Sequence, residues 1–123
     1  MTARSPERSK FLAYILVTAL EGDTRHWADV ENYETKDFDA TGNANSLKAT
    51  IADNEGQLGR FDIDIETIAT GISRIIAPTS EMVSADRIKM IAEASAVNDA
   101  GDIDGELADA ILQAGVFNDV PIG

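Results

Sequence analysis

The chain contains no cysteine. That absence excludes disulfides, thiolate metal sites and cysteine nucleophiles together. It also fits a reducing compartment, so a cytoplasmic location is expected. His26 is the only histidine, which rules out a two-histidine metal site and an HExxH helix. A serine triad would have to use it, yet no Gly-x-Ser-x-Gly elbow is present. His26 lies in a charged turn beside Trp27 and reads as a surface residue. Gly56-Gln57-Leu58-Gly59 lacks the Lys and Ser/Thr of a phosphate loop. No run approaches the ~18 apolar residues of a membrane span. The longest, Phe11 to Leu20, leads into Glu21-Gly22-Asp23 rather than a small-residue cleavage site, so it reads as a helix and not as a signal peptide.

Positive charge is also scarce. Ten Lys and Arg stand against 22 Asp and Glu, a net charge of −12 with a pI near 4.2. Nucleic acid and anionic membranes are bound through excess cations, so neither is expected as a direct partner. A basic protein surface is favoured. The charge is uneven along the chain. Residues 1–20 carry a net +2, with Arg4, Arg8 and Lys10 against Glu7. Residues 21–66 carry −8, twelve carboxylates against Arg25, Lys36, Lys48 and Arg60.

What is present is a core. A length of 123 residues, 44% of them hydrophobic, predicts a single soluble domain over 1–123 that needs no metal or disulfide staple. Ser5-Pro6-Glu7 opens a helix. Its apolar face is Phe11, Leu12, Ile15, Leu16, Ala19 and Leu20, and Gly22 is placed to end it. From Trp27 the period changes, and Trp27–Glu34 reads as a strand rich in aromatic and Val residues. Leu47, Ala49 and Ile51 alternate with Lys48, Thr50 and Ala52, and Phe61, Ile63 and Ile65 alternate more cleanly with Arg60, Asp62 and Asp64. Asn54-Glu55-Gly56 supplies a turn between the last two strands. Helical spacing returns at Ile65, Ile68, Ala69 and Ile72, stopped by Pro78. Ser80 or Ser84 opens a further helix bearing Ile88, Ile91 and Ser95. Asp104 caps a last one, with Leu107, Ala108, Ile111 and Leu112 inward. The order predicts an α+β fold: an N-terminal helix, a three-stranded antiparallel sheet, and two to three C-terminal helices packed on one sheet face. Leu16, Ile63, Ile72 and Ile111 are expected in the core.

Two stretches carry a resemblance. Phe61-Asp62-Ile63-Asp64-Ile65-Glu66-Thr67-Ile68-Ala69-Thr70-Gly71-Ile72 resembles a strand-into-helix segment in small uncharacterised proteins of actinobacterial phages and mobile elements. Asn98–Asp104 and Ala108–Phe117 are similar to their C-terminal end. The likeness covers about half the chain, on motifs of structural character. It implies a phage or mobile-element origin, hence a host-cell cytoplasm, and it implies no activity.

The constellation of most interest is carboxylates repeated at i, i+2: Asp29/Glu31, Asp37/Asp39, Asp53/Glu55 and Asp62/Asp64/Glu66. On a strand such residues share a face, roughly 6.6–6.8 Å apart, close to the spacing of successive phosphates. An acidic sheet of this kind can imitate nucleic acid and occupy a basic groove. The plainer account is a wet outer sheet face that serves solubility. Phe38, amid charges in the long 35–45 connection, is the apolar candidate for a partner contact. Trp27 and Tyr33 suit core packing better. Asp102-Ile103-Asp104-Gly105-Glu106 approaches a calcium loop, but Ala100 and Ile111 fall where the first and bidentate ligands belong. Asp62 and Asp64 could perform acid–base work only in a pocket, and nothing in the sequence supplies one.

The sequence therefore predicts a non-enzymatic acidic protein without cofactor or metal, engaging a basic partner through Asp29, Glu31, Asp37, Phe38, Asp39, Asp53, Glu55, Asp62, Asp64 and Glu66, in its sharpest form as a nucleic-acid mimic or inhibitor. The alternative is a structural, self-assembling module, a homodimer formed through apolar helix faces or the tail Val116–Gly123. A small metal- or nucleotide-handling enzyme comes third.

Overall fold

Pro6 begins α1, Pro6–Leu20, where its missing N–H leaves no intrahelical bond unmade. The structure, a computed structural model, describes residues 6–34, 48–53, 59–77 and 83–117. The 54–56 turn, Phe38 with its flanking acids, and the tail beyond Phe117 lie outside these. After α1 a short 3-10 helix, Asp23–His26, leads into β1, Ala28–Glu34. β2 is Lys48–Asp53 and β3 is Arg60–Asp64. Three helices follow: α2, Ile65–Ile75; α3, Ala85–Val97; and α4, Gly105–Phe117. The sheet is antiparallel in the order β1-β2-β3. The α+β order read from the sequence is the observed one.

The alternation in β2 and β3 turns Ala49, Ile51 and Ile63 inward, where they join a cluster of buried side chains from α1, α2, α3 and α4. Leu16, Ile63, Ile72 and Ile111 are all buried in it. Trp27 is not the first residue of a strand. It closes the 3-10 helix by donating its N–H to the Thr24 carbonyl, and its ring is buried. Ile65 belongs to α2 rather than to β3, because Asp64 ends the strand by capping the helix. The Asp64 side chain accepts the N–H groups of Glu66 and Thr67 while the Thr67 hydroxyl accepts the Asp64 N–H. Glu66 is therefore a first-turn helix residue rather than the third acid of a strand.

α4 departs most from its reading as a one-sided helix. Every residue from Leu107 to Ala114 is buried, including Asp109 and Gln113. A helix enclosed on all sides is the central one, here packed by α1 and α2. Val116 and Phe117, taken from sequence as the start of a tail, are its last turn. Phe117 packs edge-on against Phe61 at 5.2 Å and tilted against Trp27 at 5.8 Å, joining α4 to the sheet. Among the described residues no helix is long and apolar enough to cross a membrane.

Candidate functional site

The strand register decides which carboxylates share a surface. Glu31 of β1, Thr50 of β2 and Asp62 of β3 form one transverse row. Asp29, Ala52 and Arg60 form the row on one side of it, and Lys48 with Asp64 form the row on the other. With a side-chain period of two these rows lie on one face, opposite Ile51 and Ile63. Asp29, Asp62 and Asp64 are exposed there and Glu31 is half-buried. The acids of β1 and β3 thus form two lines separated by β2, about 9–10 Å apart from the strand spacing.

The field is not uniform. Arg60 reaches back across β2 to make an ion pair with Glu31. Lys48, exposed, stands in register with Asp64. Asp62 accepts the Thr50 hydroxyl at 2.9 Å. Neither Asp29 nor Asp62 has a cationic partner among the described residues. At Asn32 the backbone enters the left-handed region, φ 51°, and the β1–β2 register slips between Glu31 and Glu34. Asn tolerates that conformation better than most residues. The bulge opens a concavity of about 370 Å³, lined by Asn32, Lys48, Thr50, Asp62 and Asp64 with Ala49 and Ile63. Such a surface offers carboxylate oxygens and an amide to a polar partner. Beside it, burial pushes the Tyr33 phenol above its ordinary pKa; Glu21 adds to the rise and Arg25 opposes it.

Of the ten candidate residues, the structure brings together Asp29, Glu31, Asp62 and Asp64. Glu66 follows on the first turn of α2. Asp53 does not join them: it is in register with buried Ala28 and so has the opposite parity. Asp37, Phe38, Asp39 and Glu55 lie outside the described residues. Asp64 is a structural residue as well as a surface one, since losing such a cap costs about 0.5–2 kcal/mol. Its reversal to Lys would disturb folding as well as charge.

The calcium-like stretch has other tasks. Asp99 accepts the Gly101 N–H at 2.9 Å, and Asp104 caps α4 by accepting the Leu107 N–H at 2.8 Å. Among the described residues no group of three or more His, Asp or Glu could hold a metal ion.

Sequence reasoning missed the buried polar centre. Asp109 Oδ1 accepts the Thr24 hydroxyl at 2.7 Å and the Trp27 indole N–H at 2.9 Å, and Oδ2 accepts the Gln113 amide at 2.9 Å. A buried carboxylate is tolerated only when its lone pairs are satisfied, and here three neutral donors do so. The network ties the 3-10 helix and the entry to β1 onto the central helix. Its sequence signal was Asp109 and Gln113 at i, i+4, two polar residues facing the same way inside an otherwise apolar run.

No protein-family model matches this chain, and no curated protein and no solved structure is significantly similar to it.

Proposed function

We propose that this chain is a non-enzymatic acidic binding protein whose outer sheet face, centred on Asp29, Glu31 and Asp62, engages a basic protein surface. The observation that carries the reading is the register that gathers carboxylates of β1 and β3 on one face, with Asp29 and Asp62 lacking a cationic partner among the described residues. Exposed, unneutralised charges steer encounter with a partner of opposite sign. Lys48 and Arg60 break the field into patches, which favours a shaped contact over a uniform negative rail. In its sharper form the face imitates nucleic acid in a basic groove, inhibiting the protein that owns the groove. The resemblance of 61–72, 98–104 and 108–117 to phage and mobile-element proteins supports a host protein as the target and the cytoplasm as the place.

Self-assembly is the second reading, favoured by Tyr14, Met90 and Val97, large apolar side chains that are 47%, 41% and 70% exposed. One experiment separates the two. Wild type and Asp29→Lys/Asp62→Lys serve as baits in actinobacterial lysate, with partners identified by mass. The binding reading expects basic proteins held by wild type at low salt and lost from the double variant. Equal recovery by both baits refutes it, and capture of the chain by itself alone favours assembly.

A further inference from the structure

We infer that α3 is a separately opening unit of this fold, clasped to the rest by Arg8. The inference stands apart from the acidic face.

α3 is 13 residues long and buries only Ile91 and Ala94, whereas α4, of equal length, is buried from Leu107 through Ala114. Each end also carries a cap of its own. The Ser84 hydroxyl accepts the Arg87 N–H at 3.3 Å, and Asn98 closes the helix in the left-handed region, its N–H returning to the Ala94 carbonyl. Its outer face is apolar in places, with Met90 and Val97 exposed. Few buried apolar contacts and locally satisfied ends characterise a segment of low opening free energy.

Among the described residues, two arginines tie it to the rest through their side chains. Arg87 pairs with Glu106 in the open, and exposed pairs contribute little. Arg8 is the stronger tie. Its guanidinium donates to the Ser95 carbonyl at 2.9 Å and to Asn98 Oδ1 at 3.0 Å, meeting the negative end of the α3 dipole. It lies over the Phe11 ring, 5.0 Å from the centroid, which fixes its place on α1. Next to this clasp, the 98–101 turn stands off from α1 across a cleft of about 480 Å³ lined by Lys10, Phe11 and Tyr14. The C-terminal end of α3 is therefore bridged to α1 rather than packed on it. Opening withdraws Ile91 and Ala94 from the core and widens that cleft. A ligand that prefers the widened cleft would shift the equilibrium by its difference in affinity for the two states.

Native-state amide hydrogen exchange of the full chain tests this. In wild type, α3 amides corrected for intrinsic rates should exchange at least about tenfold faster than α4 amides 107–114. Arg8→Met keeps an aliphatic stem on Phe11 and removes both bonds, so α3 exchange should rise about a further tenfold while α4 stays within about twofold. Glu106→Gln should move α3 less than Arg8→Met does. Equal protection of α3 and α4 in wild type, a comparison that needs no variant, overturns the separate unit. Unchanged α3 exchange in Arg8→Met, or equal acceleration of both helices, overturns the clasp.

Discussion

Gly71 of α2 and Gly115 of α4 sit where the two helices cross with backbones in contact: a methyl carbon placed on Gly71 would stand 3.1 Å from the Gly115 nitrogen and 2.0 Å from the Ile111 carbonyl oxygen. The relation is reciprocal, since a methyl on Gly115 would lie 2.1 Å from the Thr67 carbonyl oxygen. In an exposed helix interior, Gly→Ala stabilises by up to about 1 kcal/mol. Here the sign reverses. Gly71→Ala and Gly115→Ala should each destabilise by about 1–3 kcal/mol or more in urea unfolding, because backbone atoms cannot step aside as a side chain can. A neutral or stabilising result at both positions would mean the helices do not cross this closely.

The buried acid gives a second test. Asp109→Asn retains shape but replaces one acceptor oxygen with a donor, which faces the donors of Thr24, Trp27 or Gln113. The expected loss is about 1–3 kcal/mol, reduced if Gln113 turns its amide to present oxygen. Asp109→Leu should lose more, since the buried Thr24 hydroxyl and Trp27 indole N–H then lose their acceptor. A neutral Asp109→Leu would show that the network contributes nothing to the fold.

Tyr33 supplies a pH dependence at the alkaline end. Its phenol titrates higher when folded than when unfolded, chiefly through burial. The neutral form is the one the fold favours, so its contribution is fully present below the ordinary pKa near 10. That contribution is lost as pH rises through the higher folded value. Unfolding measured across that range should show stability falling with pH, with the fall smaller in Tyr33→Phe. An identical slope in both proteins would contradict this.

Much of the fold was legible from local chemistry. Alternation in Ala49/Ile51 and in Phe61/Ile63, the 3.6 period of Ile65–Ile72, and the capping residues Ser84 and Asp104 each carry their signal within a few positions. What was not legible depends on partners distant in sequence. The enclosure of α4 is set by α1 and α2 packing around it, and its own sequence also suits a one-sided helix. The burial of Asp109 depends on Thr24 and Trp27, more than 80 residues away, which satisfy its carboxylate. Period two told which acids share a face within one strand. Register told which strands share it, and also placed Arg60 and Lys48 among them.

The most direct measurement is the association rate of an oligoarginine peptide as a function of salt, for two double reversals of equal charge. One is Asp29→Lys/Asp62→Lys on the sheet face, which spares the cap at Asp64. The other is Asp86→Lys/Glu93→Lys on the exposed side of α3. If the outer sheet face is the working surface, the first pair should slow association by about tenfold at low ionic strength and the second by only about two- to threefold. The difference should vanish as screening shortens to a few ångströms near 1 M salt. Equal slowing by both pairs would contradict the account, for the acidity would then act only as net charge, with no face of its own.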